Sequence, residues 1–269
     1  VYHRKHEQET DVGYPYNEKI TGGDIRLGRE LTEYVRVDSM YRYDIVEISD
    51  VVPEASADLK REVGKNRISS LQLGLSFDSR DNIFDPRRGN YLSGSMEVAG
   101  GPFGGDKDFW KFFGRASHYF GLLRNSTLEL RLRSGFADTY KDTQKIPIYE
   151  RFFVGGAYTV RGYHERKLGP IDSVSEEPLG GNVFLVGNIE YLYPIFDFLK
   201  FALFYDTGYA WPKIRDVEFR DLCSSFGFGV RLKTPLGPFL LDYGIPLDKE
   251  PGEKDKGKGR FHFSMSHGF

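Results

Sequence analysis

Residues 71–78 read Leu-Gln-Leu-Gly-Leu-Ser-Phe-Asp, an unbroken alternation of apolar and polar side chains. Successive side chains of a β-strand point to opposite faces, so this stretch predicts a strand with one apolar face and one polar face. A turn at residues 85–89, Asp-Pro-Arg-Arg-Gly, follows, and the chain returns with Leu92, Met96 and Val98 on one face. Because Pro and Gly favour tight turns, the two runs predict an antiparallel hairpin.

The same alternation recurs along the rest of the chain. The further strand-like segments are about 1–10, 18–30, 34–49, 108–121, 125–138, 182–193, 200–211, 223–234, 238–246 and 259–269. Aromatic residues make up 15% of the chain and 31 glycines accompany them, a composition that favours strands separated by turns. We therefore predict an all-β, antiparallel fold of about twelve strands.

Composition excludes several classes of protein. No stretch approaches the roughly 18 uninterrupted apolar residues of a spanning helix, which excludes a helical membrane protein. The net charge of −2 gives no sign of nucleic-acid binding, and the single cysteine, Cys223, allows no internal disulfide. The six histidines are scattered and no Gly-x-Ser-x-Gly elbow occurs, so we expect no enzyme, no metal site and no cofactor.

The alternation within a strand leaves two architectures open. In a soluble sandwich the apolar faces point inward, whereas in a membrane barrel they face lipid. The connections separate the two, because short and long ones alternate along the chain. The short ones are near 31–33, 80–89, 122–125, 194–199 and 235–237, and the long ones are near 50–66, 139–181, 212–222 and 247–258. Short turns at one end and long loops at the other are typical of outer-membrane barrels, so we predict a transmembrane β-barrel over residues 1–269.

Two connections carry further expectations. The charged run at residues 58–62 predicts a solvated loop or a short helix. The connection at 139–181 is far longer than connections in compact domains usually are, which points to a specific role. There is no signal peptide at Val1, and we expect the chain to be the later part of a longer polypeptide.

The long connection carries the motif that is most specific in the sequence. Residues 151–156, Arg-Phe-Phe-Val-Gly-Gly, and residues 159–163, Thr-Val-Arg-Gly-Tyr, resemble the lumen-inserted loop of the BamA-type outer-membrane assembly and translocation superfamily. Similar family features are the turn at 84–89, the strand at 204–208, the segment 234–238 with Asp242 and Tyr243, and the terminal Phe269. The resemblance covers about residues 67–269.

The resemblance implies a site. The motif Val160-Arg161-Gly162-Tyr163 would place Arg161 in the lumen against acidic groups of the next two strands, and Glu190 and Asp206 match those groups. The alternation independently puts both carboxylates on the polar face of their strands. Gly162 would allow a sharp turn of the backbone.

A function without covalent chemistry is also implied by the family. Members of the family fold and insert β-barrel proteins through a weak seam at the terminal strand, where Phe261, Phe263, Met265 and Phe269 would face lipid. The implied partners are unfolded outer-membrane β-barrel proteins, outer-membrane lipid and accessory lipoproteins. The implied location is the outer membrane of a Gram-negative bacterium or of a derived organelle. A translocator of the two-partner secretion type is the alternative, and a soluble β-sandwich binding module is a remote one.

One departure from the family stands out. The family barrel has sixteen strands preceded by periplasmic repeat domains, and the motif loop follows its eleventh strand. In this sequence the loop follows about the seventh predicted strand and residues 1–269 include no repeat domain, so the chain resembles the last twelve of the sixteen strands.

Overall fold

The computed structural model describes residues 2–7, 16–234, 237–253 and 257–265, and nearly all of its regular structure is β-strand. The strands are β1 (Tyr2–Glu7), β2 (Asn17–Glu30), β3 (Val35–Ser49), β4 (Gly64–Asp78), β5 (Gly89–Ala99), β6 (Phe109–Gly121), β7 (Thr127–Thr139), β8 (Val183–Phe196), β9 (Leu199–Trp211), β10 (Cys223–Thr234), β11 (Gly237–Pro246) and β12 (Arg260–Met265). One short helix, α1 (Ala57–Lys60), lies between β3 and β4. The described part of the chain holds no helix with the length and hydropathy of a membrane span.

All twelve strands form one sheet in which each strand pairs antiparallel with its neighbour in sequence. Within the described residues, β1 and β12 are the two ends of this sheet, so it is an open barrel wall. The prediction of an all-β, antiparallel barrel fold of about twelve strands is confirmed. The predicted strand bounds hold to within a few residues, except that β4 begins seven residues before the predicted run 71–78. Residues 1 and 8–10 of the first segment and 266–269 of the last lie outside the described part.

Apolar side chains cover the outer face of the sheet and polar ones occupy the inner face. On β9, Leu203 and Tyr205 are 47% and 40% exposed, whereas Phe204 and Asp206 between and beside them are 5% and 0% exposed. The outward apolar residues on other strands include Leu73, Leu75, Leu92, Leu132, Ile189, Phe226, Phe228, Leu241, Phe261 and Phe263. Exposed leucines and phenylalanines opposite buried carboxylates are the arrangement of a membrane barrel and the reverse of a soluble sandwich.

The inner face is covered by the connection between β7 and β8. This long loop, residues 140–182, contains one short 3₁₀ turn at Ile148–Glu150 and otherwise irregular backbone. Its first part packs in a cluster with Leu59 of α1, Ile68 of β4 and Phe109 of β6. Its second part packs in a separate cluster with residues of β8, β9 and β10. The loop is therefore part of the interior, and it supplies apolar side chains that pack against the inner face of the sheet.

The β3–β4 connection corrects two expectations. β4 begins at Gly64, inside the predicted connection 50–66. The charged run at 58–62 does contain a short helix, but it is not solvated throughout, because Leu59 is 1% and Glu62 is 7% exposed. The run packs against the long loop, which sequence position alone does not indicate.

Candidate functional site

The motif at residues 160–163 lies buried on the inner face of the sheet. Val160 and Tyr163 are 0% and 1% exposed, and both belong to the second cluster, with Phe184 and Val186 of β8. Burial of these apolar side chains holds the loop on the sheet at this point, at roughly 1.5–3 kcal/mol for each large side chain. Arg161 lies between them in sequence and is only 7% exposed.

Arg161 makes a forked ion pair with Asp206 of β9. Its Nε lies 2.7 Å from Asp206 Oδ2 and its Nη2 lies 2.9 Å from Asp206 Oδ1. The backbone N–H of Arg161 also donates to Asp206 Oδ2, at 3.1 Å. Two parallel charge-assisted hydrogen bonds fix both distance and orientation, so this contact defines the position of the loop more sharply than an ordinary ion pair.

Two further acids reach the same guanidinium. Arg161 Nη1 lies 2.8 Å from Glu190 Oε2 on β8 and 3.3 Å from Asp242 Oδ2 on β11. Arg231 of β10 bridges the same two acids, with Nη2 2.9 Å from Glu190 Oε2 and Nη1 2.6 Å from Asp242 Oδ1. The network thus ties the loop to four adjacent strands, β8 to β11, with two guanidinium groups against three carboxylates.

Neutral groups complete the surroundings of Arg161. Its guanidinium carbon lies 3.5 Å from the centre of the Phe204 ring, a cation–π contact on the buried side. Asn188 of β8 donates from Nδ2 to Asp206 Oδ1 at 2.7 Å and to the carbonyl oxygen of Thr159 at 2.8 Å. Asn188 therefore bonds both to the Asp206 carboxylate on the sheet and to the loop backbone two residues before Arg161.

Glycines make this close approach possible. Gly162 has φ +92°, which other residues rarely adopt, and a Cβ on it would lie 3.0 Å from the carbonyl carbon of Gly244 on β11. A Cβ on Gly244 would lie 2.5 Å from the backbone nitrogen of Gly162. The backbone N–H of Gly162 donates to His262 Nε2 of β12 at 2.8 Å. The loop backbone therefore lies directly on the backbone of β11 and contacts β12, the last strand of the sheet.

Tyr163 and His164 extend the contact toward the β11–β12 connection. The Tyr163 hydroxyl donates to the carbonyl oxygen of Ser224 at 2.7 Å, and it accepts from the backbone N–H of Asp248 at 3.2 Å. The backbone N–H of His164 donates to Glu250 Oε2 at 2.9 Å. These bonds fix the loop to residues that follow the strands as well as to the strands themselves.

A second polar contact holds the first part of the loop. Glu150, 6% exposed, lies 3.1 Å from Arg42 Nη1 on β3 and 2.8 Å from Lys111 Nζ on β6. Arg42 also pairs with Glu97 of β5 at 2.6 Å and with Asp44 at 3.5 Å. The long loop is therefore anchored by charge on β3 and β6 as well as on β8 to β11.

The connection before β4 supports this second anchor. Asp58 of α1 pairs with Lys145 and Arg151 of the loop, each at 2.8 Å. Burial raises the pKa of Asp58, but the hydrogen bonds and charges of Lys145 and Arg151 outweigh burial and hold that pKa below its ordinary value. The Asp58 carboxylate is therefore charged at neutral pH and stabilises the loop.

Comparison with known proteins identifies the architecture. The Omp85 superfamily domain matches residues 1–269, which is the whole chain. The chain is also 32% identical over 257 residues to the outer membrane protein assembly factor BamA of Nitratidesulfovibrio vulgaris, covering 94% of this chain and 32% of that protein. The chain belongs to the Omp85 superfamily.

Relatives of this Omp85 chain occur in bacteria and in eukaryotes. A SAM50-like protein of Schizosaccharomyces pombe is 26% identical, over 83% of this chain and 49% of that protein. The crystal structure of BamA from Haemophilus ducreyi lacking POTRA domains 1–3 has the same fold, with a TM-score of 0.76, 16% identity, and coverage of 92% of this chain and 54% of that one. CdiB from Acinetobacter baumannii has a TM-score of 0.58 at 17% identity, over 94% of this chain and 43% of that one. The chain spans about a third to a half of the length of these curated relatives.

The family and the outward apolar face together place this Omp85 chain in an outer membrane. On β12, Phe261, Phe263 and Met265 are 73%, 66% and 39% exposed on the outer face. The fourth residue expected there, Phe269, lies outside the described residues. β12 pairs with β11 on one side, and its other edge is the end of the described sheet.

Several residues of the site were not singled out from the sequence. The structure brings Arg161, Glu190 and Asp206 together, but Asp242, Arg231 and His262 belong to the same group of contacts. The alternation of apolar and polar residues could have indicated two of them, because Asp242 and Arg231 lie on the polar face of their strands as Glu190 and Asp206 do. Among the residues that the structure describes, no group of histidine, cysteine and acidic residues has the arrangement of a metal site.

Proposed function

We propose that this chain is the membrane barrel part of a factor that folds β-barrel proteins and inserts them into the outer membrane. The observation that carries the proposal is the docked loop in a member of the Omp85 superfamily. Arg161 of this loop pairs with acidic residues on three strands, and the next residue, Gly162, contacts the last strand of the described sheet. The relatives named as assembly factors in bacteria support it.

In this proposal, Val160, Arg161, Gly162 and Tyr163 act as a lock that fixes the curvature of β8 to β11. The hydrogen bonds of Arg161 to Glu190 and Asp206 fix the orientation of the loop on the sheet. The buried Val160 and Tyr163 supply most of its apolar contact area. The long loop at 139–181 works as the inner brace of a single barrel domain, residues 1–269. A rigid wall at this place would keep β12 in one position while its free edge remains available.

The seam would then act through backbone hydrogen bonds. An unpaired strand edge presents N–H and C=O groups to which an incoming strand can add. The clients would be unfolded outer-membrane β-barrel proteins, and the exposed Phe261, Phe263 and Met265 would contact outer-membrane lipid beside the new strand. Accessory lipoproteins would assist, and no covalent step, metal or cofactor is involved.

The test is replacement of Arg161 in the full-length protein as the sole copy in its host. We expect Arg161→Ala to reduce the amount of folded barrel proteins in the outer membrane while the variant itself still reaches the membrane. Arg220→Ala is the matched control, because Arg220 is 82% exposed and lies in the β9–β10 connection. Normal levels of folded client proteins in the Arg161→Ala strain would contradict the lock.

A translocator of unfolded polypeptide is the second candidate, and the likeness in fold to CdiB favours it. The two candidates differ in where the client ends: an assembled barrel stays in the membrane, whereas a translocated passenger leaves the cell. Loss of a secreted protein from the medium in the Arg161→Ala strain, with unchanged membrane barrels, would select the translocator. The family and the outward apolar face leave no support for the soluble sandwich.

A further inference from the structure

Three arginines form a cluster on the inner face of β6 and β7, beside the Arg161 network. Arg115 of β6 is the direct cross-strand partner of Arg133 of β7, and Arg131 lies on the same face two residues before Arg133. Like charges directly opposite on neighbouring strands destabilise the pair. A sequence that keeps both arginines at facing positions therefore retains an unfavourable contact that something else must offset.

The protein itself neutralises only one of the three. Arg131 pairs with Glu129, at 2.6 Å, and Glu129 is 5% exposed and also accepts from the Tyr119 hydroxyl at 3.0 Å. Arg133 donates to neutral acceptors, the carbonyl oxygen of Tyr158 at 2.8 Å and Asn188 Oδ1 at 2.9 Å. Among the described residues, the three guanidinium groups thus have one carboxylate, that of Glu129, as a direct ion-pair partner.

Donors in the cluster also outnumber the acceptors around them. Arg115 makes one long hydrogen bond, from Nε to Ser117 Oγ at 3.4 Å, and its guanidinium lies 5.1 Å from the centre of the Tyr91 ring. Among the described residues, Arg133 Nε is buried without any hydrogen-bond partner. Unsatisfied buried donors of this kind call for an explanation, and an anion is one of the usual ones.

The cluster opens on a cavity of about 600 Å³ inside the barrel wall. Arg115, Arg131 and Arg133 line it together with Arg161, Glu190, Arg231 and Asp242 of the Arg161 network, and Phe84 and Phe198 of the short turns line it as well. Those two phenylalanines are 78% and 55% exposed. The cavity therefore combines a wall in which cationic side chains outnumber carboxylates with an apolar rim at Phe84 and Phe198. It is large enough for a phosphate group together with part of a molecule that carries it.

We propose that this arginine cluster binds a phosphate group in the barrel interior. Guanidinium forks match the oxygen spacing of phosphate, and a dianion would supply the direct anionic partner that Arg115 and Arg133 lack among the described residues. The phosphate belongs either to free inorganic phosphate or to the head group of a phospholipid whose acyl chains lie along the apolar rim. The site adjoins the Arg161 network, because Arg133 donates to Asn188, which in turn donates to Asp206, but the proposal does not rest on the assembly function.

The test is a ³¹P NMR titration of inorganic phosphate against the protein folded in a phosphorus-free neutral detergent. We expect saturable broadening of the phosphate signal with the wild type. Arg115→Gln and Arg133→Gln should each weaken binding by roughly tenfold or more, the effect of losing one charge-assisted hydrogen bond. Arg220→Gln, which removes an exposed arginine elsewhere, should bind as the wild type does.

A second arm uses dihexanoyl phosphatidic acid in place of inorganic phosphate. Tighter binding of the lipid assigns the site to a phospholipid head group, and equal binding assigns it to free phosphate. Retained β-sheet circular dichroism shows that each variant is folded, and Arg115→Lys, which keeps the charge, should recover part of the binding. Absence of saturable broadening with the wild type, or equal broadening by the wild type and both glutamine variants, would overturn the proposal.

Discussion

Removal of Arg161 is expected to cost much more stability than removal of the charge on Asp206, although the two side chains form one ion pair. The reason lies in the balance of the network. Arg161 and Arg231 face Glu190, Asp206 and Asp242, so two positive charges meet three negative ones. Arg161→Ala leaves one guanidinium against three buried carboxylates, whereas Asp206→Asn leaves two against two.

The magnitudes follow from burial. Asp206 and Asp242 are 0% and 3% exposed, so water cannot replace the lost guanidinium, and breaking a buried pair from one side costs about 3–5 kcal/mol. Asp206→Asn keeps an acceptor for Arg161, which retains Glu190 and Asp242, and we expect about 1–3 kcal/mol. The double variant should be no less stable than Arg161→Ala alone, since the second change removes one of the stranded carboxylates.

The assay is the free energy of unfolding in urea, followed by tryptophan fluorescence, for the wild type and the three variants. Trp211 at the end of β9 is 1% exposed and provides a signal close to the network. Arg220→Ala, with an exposed arginine, should unfold as the wild type does. Equal losses for Arg161→Ala and Asp206→Asn, or a double variant destabilised by the sum of the two, would refute the argument from charge balance.

Three other changes test separate parts of the loop. Glu150→Gln should lower the free energy of unfolding by about 1–3 kcal/mol and make the loop easier to cleave by protease, because Lys111 loses its carboxylate partner. Glu54→Gln, at an exposed position, should do neither. Gly244→Ala should undock the loop, read as loss of protease resistance around residues 160–163, while Gly187→Ala, where the nearest atom to the new Cβ is 3.4 Å away, should not. Asp58 has a lowered pKa in the folded protein. Its contribution to stability is therefore present above its unfolded pKa of about 3.9 and is lost as pH falls toward the folded pKa. We expect the difference in the free energy of unfolding between wild type and Asp58→Asn to shrink below about pH 4.

The sheet was predictable because its pattern is local. The alternation in residues 71–78 repeats in most strands, and the structure pairs those strands in sequence order. Which face meets lipid was not decided by any single strand, since a sandwich and a barrel share the same pattern. The alternation of short and long connections decided it, and Leu203 and Asp206 lie on the expected faces.

The second anchor of the loop was not predictable in this way. Arg42 and Glu150 are 108 positions apart, and neither belongs to a motif or to a run of unusual composition. Arg42 lies on β3, which carries several charged residues, and the sequence does not distinguish the one that bonds to Glu150 from the exposed ones. A polar residue on the inner face of a barrel looks the same in sequence whether it contacts water, a loop or a ligand.

The two anchors together define what the loop does mechanically. Glu150 is held by β3 and β6, and Arg161, only eleven positions later, is held by β8 to β11. A chain of eleven residues spans at most about 35–40 Å when extended, so two fixed points limit how far these parts of the wall can separate. A change that separates these parts of the wall beyond that reach would have to break one of the two ion networks. Movement at the outer edges of β1 and β12, the two ends of the described sheet, would leave both ion networks intact.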